Sequence, residues 1–198
     1  MRAILRASVL LMLLVGATAC ASIQERVMEP KELINDPILE SQEVRPPLNV
    51  EIVHQEELKF VFSDPILGFE NTTYDYSKAV IPALLDGLSR SYALVPEEDT
   101  ANHVEIHFTD IEGDLSCRKY TFYQCSQGIE FGALVIVNKG GERVARRKLA
   151  KSHRASGSEF FLPVTAFDPL HMKAAPIAFS KLIAEIVVFA DEALGLER

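Results

Sequence analysis

The sequence predicts an α+β fold: a two-layer sandwich of an antiparallel or mixed sheet with two amphipathic helices on one face. Three observations lead there. Val104, Ile106 and Phe108 alternate with His103, Glu105 and His107, the period-two pattern of a half-buried strand. Phe131 to Val137 is almost wholly apolar and runs into Asn138-Lys139-Gly140-Gly141, a central strand ending in a hairpin turn. Two segments, near Tyr76–Tyr92 and Asp168–Gly195, repeat apolar residues at helical spacing.

The 198 residues suit one folded unit, and a 48% apolar composition is enough to bury a core. Residues 1–19 read as a signal. Arg2 and Arg6 precede an apolar stretch from Ala7 to Ala17, followed by small residues up to Cys20. As a helix that stretch rises only ~20 Å, short of a ~30 Å hydrocarbon core, so a membrane span is disfavoured. Residues 20–47 are acidic and interrupted by Pro30, Pro37, Pro46 and Pro47, with a turn near Glu32–Asn35, and read as a tether. If flexible, such a segment reaches roughly 25–30 Å.

Residues 48–198 are then the domain. Leu48–Val53 and Leu58–Phe62 are strand-like. Ile81, Leu84, Leu85, Leu88 and Tyr92 share one face of the first helix, with Asp75 as its expected N-cap. Pro82 fits only if that helix starts late or bends. Residues 142–153 return as a basic strand after the Gly140-Gly141 turn. Asp168 is the expected cap of the last helix, with Pro169 at its first position. Phe179, Leu182, Ile183, Ile186, Val187, Ala190 and Leu194 form its apolar stripe, and Gly195 ends it.

Ala17-Thr18-Ala19-Cys20 resembles the lipobox of bacterial lipoprotein signals, with Ala17 where leucine is usual. That resemblance implies lipidation of Cys20 and three acyl chains, which hold a protein on a membrane effectively permanently. Two other cleavages remain open: an Ala-x-Ala cut before Cys20 without lipidation, and a cut after Ala19-Cys20-Ala21 that discards the cysteine. Ala21, rather than aspartate, follows the cysteine; by resemblance to enterobacterial sorting this implies the outer membrane. The stretch from Ser91-Tyr92-Ala93-Leu94-Val95 through Val104–Phe108 and Leu134–Gly141 to the closing helix resembles, in arrangement, YajG-like, LptE-like and ABC-transporter auxiliary lipoproteins. The expected role is a lipid-anchored periplasmic binding or envelope-assembly protein without catalysis, meeting an envelope protein or glycan. An auxiliary subunit of an envelope lipid transporter is the alternative.

Three cysteines in an exported chain call for an explanation. Lipidating Cys20 leaves Cys117 and Cys125, which an oxidising periplasm would join. A metal site is the competing reading, but two sulfurs without a nearby histidine are a poor ligand set. Between the two lie Tyr120, Phe122 and Tyr123, either an exposed contact surface or core. Arg143, Arg146, Arg147, Lys148, Lys151 and Arg154 put six cations into twelve residues. In a strand, Arg146, Lys148 and Arg154 face one way and Arg143, Arg147 and Lys151 the other. They either contact an anionic partner or protect a sheet edge.

The remaining motifs are weak. His103, Glu105 and His107 share a face and could bind zinc in a metal-dependent enzyme, but the order is not His-Glu-x-x-His on a helix. Asp110, Glu112 and Asp114 read as a solvated strand end rather than a calcium loop. Ser116-Cys117-Arg118-Lys119 matches Ser-x-x-Lys without its companion motifs. No metal or cofactor is expected. A formal charge of −8, becoming −10 once Arg2 and Arg6 leave with the signal, argues against nucleic acid as a partner. Mass spectrometry of the mature N-terminus should find a lipid-modified Cys20, and Cys20→Ser should move the protein from the membrane fraction to the soluble one.

Overall fold

The structure is a computed structural model, and it describes residues 24–39, 41–53, 58–63, 70–119, 121–160 and 163–196. The signal residues and Cys20 lie outside that set. The fold is α+β, as expected, with a mixed sheet.

Strands β1 (Gln24–Val27), β2 (Pro47–Val53), β3 (Lys59–Ser63) and β4 (Glu70–Asp75) lead to helix α1 (Val80–Ser89). The short β5 (Ala93–Leu94) follows. Three long strands come next: β6 (Asn102–Lys119), β7 (Tyr123–Lys139) and β8 (Glu142–Phe160). Helix α2 (Pro163–Leu194) closes the chain. One sheet runs β5-β2-β6-β7-β8 and a smaller one β1-β4-β3. In the larger sheet β2 is parallel to β5 and β6, and β6, β7 and β8 are successively antiparallel.

The alternation expected for residues 103–108 is present. Val104, Ile106 and Phe108 are buried and pair with β7's Val137, Val135 and Ala133 respectively on the core face. The pattern shifts at a bulge between Phe108 and Ile111, where the pairing register slips. The segment expected to be a cysteine loop is strand for most of its length: the ladder continues through Cys117↔Cys125 to Lys119↔Tyr123. Gly140 and Gly141 take φ of 61° and 81° in the β7–β8 turn, a region open mainly to glycine.

Helix α2 lies along the inner face of β7 and β8. Its expected stripe is buried except for Val187, which is partly so, and Leu170, Ala174, Ala175, Ala178 and Phe189 extend it. Gly195, at φ 68°, ends it as expected. Its start differs. The helix begins at Pro163, so Asp168 and Pro169 sit inside it rather than at its cap. Asp168 instead accepts hydrogen bonds from Arg26 and Tyr74.

Helix α1 also starts later than the periodicity suggested. Its N-cap position is Ala79, and the Asp75 carboxylate accepts from the Ser77 amide in the preceding turn. The late start leaves Pro82 in the first turn, where no intrahelical N–H is needed. The buried face is Val80, Ala83, Leu84, Gly87 and Leu88, so Ile81 and Leu85 fall to its side. Gly87 allows close contact with α2: a Cβ there would lie 2.8 Å from Ile183 Cδ1.

The largest difference concerns the segment read as a tether. From Gln24 it is part of the fold. β1 adds in parallel to β4, with Arg26 opposite Tyr74. Two 3-10 turns follow, at Pro30–Leu33 and Asp36–Ile38. Met28, Leu33 and Leu39 are buried in the common core. The Asn35 amide donates to Ser180 Oγ on α2 at 2.8 Å, and the Gln42 amide to the Arg90 carbonyl at 2.8 Å. The prolines that break a long helix are thus compatible with a strap of short turns laid along α2. If so, Leu33→Ala should cost about 2–5 kcal/mol in urea unfolding; a free tether would show no change.

Candidate functional site

β8 ends the larger sheet, so one of its edges carries no strand among the described residues. From Arg146 onward its cations divide by parity as the sequence predicts, but a register shift between Val137 and Asn138 sets Arg143 opposite Asn138, off the face that Arg147 and Lys151 share. On the α2 side, Lys151 pairs with Glu185 at 3.0 Å, and Arg147 reaches Glu192 at 4.0 Å while its guanidinium sits 4.5 Å over the Phe189 ring. On the other face, Lys148 lies 3.6 Å from Asp110. Arg154 grips Asp114 with two contacts, at 2.6 and 2.7 Å.

The last pair spans two strands because β7 offers no side chain between them. Gly128 pairs with Asp114 on one side and Arg154 on the other. A Cβ at Gly128 would fall 2.6 Å from the Asp114 carboxylate and 3.0 Å from the guanidinium. The chain's own carboxylates therefore occupy four of the six basic residues. No described carboxylate pairs with the exposed Arg143 or Arg146. Exposed pairs of this kind are worth only ~0–1 kcal/mol each, so they guard the edge more than they stabilise the fold.

The disulfide Cys117–Cys125 joins residues directly opposite each other, with Cα atoms 4.1 Å apart. Cys125 is buried. The bridge therefore fixes the base of the β6–β7 tip to the core. Beyond it Phe122 is 45% exposed, so this residue is not core. Tyr123 pairs in register with Phe160 of β8. Tyr120 lies outside the described residues. Ser116, Arg118, Gln124, Ser126, Ser156 and Ser158 line a shallow polar depression on the outer face below the tip.

The histidines of β6 each have a local partner. His103 Nδ1 is 2.6 Å from Asn49 Oδ1, and His107 is hydrogen-bonded to Glu105. Among the described residues no three metal-ligating side chains converge, and Asp110 and Asp114 engage cations instead. Cys117 is spent in the disulfide, which removes the middle of the Ser-x-x-Lys resemblance.

Sequence reasoning missed one cluster. His171 of α2 is wholly buried. Its ring stacks on Tyr74 at 3.8 Å and lies 5.7 Å from Phe60. Its Nε2 is hydrogen-bonded to Tyr76 Oη, and the Gln127 amide donates to its Nδ1 at 2.8 Å. The smaller sheet, α2 and β7 thus meet at one imidazole. Beside it, Asp168 accepts from Tyr74 and from Arg26, each at 2.7 Å, and Arg26 also reaches Glu32 at 3.0 Å. Gln127 Oε1 is buried without a partner. Exchanging the amide's oxygen and nitrogen would orphan a donor instead, at a cost of ~1–3 kcal/mol either way. A histidine about two turns before an apolar stripe was the only signal in the sequence.

Burial pushes His171 down to about 3 from the usual imidazole value, with Arg26 adding to the effect against Asp168. Burial likewise pushes the Tyr74 and Tyr76 phenols up. The cluster is therefore neutral at its centre. No family model matches the chain, and no curated protein matches it. Among solved structures, a minor lipoprotein from Acinetobacter baumannii is similar at 8% identity and a TM-score of 0.39, over 77% of this chain and 93% of that one. A Xanthomonas campestris protein of the DUF330 family is similar at 14% identity and a TM-score of 0.45, over 88% of this chain and 99% of that one. Neither likeness assigns a role.

The depressed His171 pKa sets a direction for acid stability. The neutral ring is favoured in the fold, so its contribution is intact above the unfolded value near 6.5 and is lost as pH falls toward 3. The slope from this group is about 1.4 kcal/mol per pH unit. His171→Gln should flatten the stability profile between those limits in urea titrations run across pH.

Proposed function

We propose that this chain is a lipid-anchored protein of the Gram-negative envelope, facing the periplasm from the outer membrane, that binds or supports an envelope partner without catalysis. The observation that carries the reading is Cys20, placed where a basic, apolar and small-residue signal ends. Ala21 after it supports the outer membrane over the inner. No described helix is long and apolar enough to cross a membrane.

The non-catalytic part rests on what the reactive side chains are doing. His103, His107 and His171 are hydrogen-bonded to neighbours, and Cys117 and Cys125 are joined. Contacts would come from the polar depression below the bridged tip and from Arg143 and Arg146 on β8. A protein or glycan surface rich in hydroxyls and carboxylates suits that set. In-cell cross-linking from a photoreactive residue at Arg146 should recover a discrete envelope partner. Recovery of none, with the protein correctly localised, would remove the binding reading.

A further inference from the structure

The molecule has two poles, and the chain path fixes which elements lie at each. β8 ends at Phe160 opposite Tyr123, beside the β6–β7 tip, and α2 begins three residues later. α2 then runs back antiparallel to β8. Lys151 meets Glu185, Arg147 meets Glu192, and Lys139 Nζ donates to the Leu194 carbonyl at 2.9 Å. The N-terminal end of α2 is therefore at the tip pole, and its C-terminal end is at the Gly140-Gly141 turn.

The strap runs the same way. Arg26 binds Asp168 near the start of α2, Asn35 binds Ser180 in its middle, and Pro47 pairs with Ala93 near the turn pole, where the Pro47 carbonyl accepts from Asn102. Read backwards, the chain leaves the domain at Gln24, at the tip pole. Gln24 is only four positions along the chain from Cys20. Fully extended, they span at most ~14 Å. From Gln127, level with His171 and Tyr74, β7 continues toward the tip for five residues to Phe122, or roughly 17 Å at strand rise. A membrane holding Cys20 therefore lies within reach of the tip.

The tip has the chemistry for such a surface. In a protein with 28 acidic residues, none occurs from Leu115 to Ile129, while Arg118 and Lys119 do. Phe122 is 45% exposed at its apex. Aromatic rings flanked by cations are the side chains that settle at the lipid headgroup level. The disulfide fixes the tip's base, so little conformational freedom is lost on contact.

We propose that the β6–β7 tip is a second membrane contact, resting through Phe122 and Arg118 on the same bilayer that holds the lipidated Cys20. The inference depends on the lipid-anchor reading. It replaces a domain swinging on a long tether with one held tip-down on the surface, its Gly140-Gly141 pole facing the periplasm.

Because Cys20 would be acylated and Cys117 bridged to Cys125, an introduced cysteine gives a single free thiol. Full-length Thr121→Cys and Glu142→Cys proteins, purified from membranes and labelled with a polarity-sensitive fluorophore, would be placed in phosphatidylethanolamine–phosphatidylglycerol vesicles containing a headgroup-level quencher lipid. The label at 121 should shift to the blue and lose roughly threefold in intensity, as a probe at the interface does, while that at 142 stays unchanged. Adding Phe122→Glu to the first protein should abolish the loss. Equal signals at 121 and 142, or quenching that survives Phe122→Glu, overturns the tip contact while leaving the anchor intact. Mass spectrometry of the same samples separates the two ideas: an unmodified N-terminus overturns the anchor reading, and the contact falls with it.

Discussion

The architecture depends on the burial of α2's apolar stripe against β7 and β8. Phe179 packs edge-on against Phe131 at 5.2 Å and stacks near Phe108 at 6.2 Å. Ile183, Ile186 and Ala190 continue the same line. A 32-residue helix is ~48 Å long and strands of 17 to 19 residues are roughly 56–63 Å long, so the helix covers most of their length. With the helix in place, everything else has a fixed position. α1 closes on it through Gly87, the strap lies along it, and the smaller sheet caps its first turns through His171.

The strap changes what the acidic N-terminal segment means. Its carboxylates are not simply solvating charge. Glu32 and Asp168 hold Arg26, and Asp36 and Asp86 hold Arg90 at 2.8 and 3.0 Å. Individually such pairs contribute little. The energy comes from Met28, Leu33 and Leu39, and the charges set where those side chains enter. Folding the strap onto the domain brings the described fold to within four positions of Cys20 in the sequence.

Position by position, local pattern succeeded where one neighbour decides. The alternation in β6, the Gly140-Gly141 turn, the parity of the β8 cations from Arg146 onward and the stripe of α2 all follow from strand or helix period; the register shift that displaces Arg143 does not. The Asp75 and Asp168 caps failed for a common reason. A carboxylate before a helical pattern is a good cap in isolation, but here Ser77 and the Arg26–Tyr74 pair offer it stronger partners. The α1 face is rotated from the expected one because Gly87 turns toward α2, where its lack of a side chain allows close approach to Ile183.

The sequence by itself determined the fold class and the acid–base balance of each strand, because these depend on composition and on spacing within one segment. The tertiary structure alone decided that the strap is part of the core, that Gly128 lets Arg154 reach Asp114, and that three elements converge on His171. It also placed Gln24, the first described residue, toward the same pole as the disulfide-bound tip. Each of these needs residues distant in sequence to be neighbours in space, and no period along the chain encodes that adjacency.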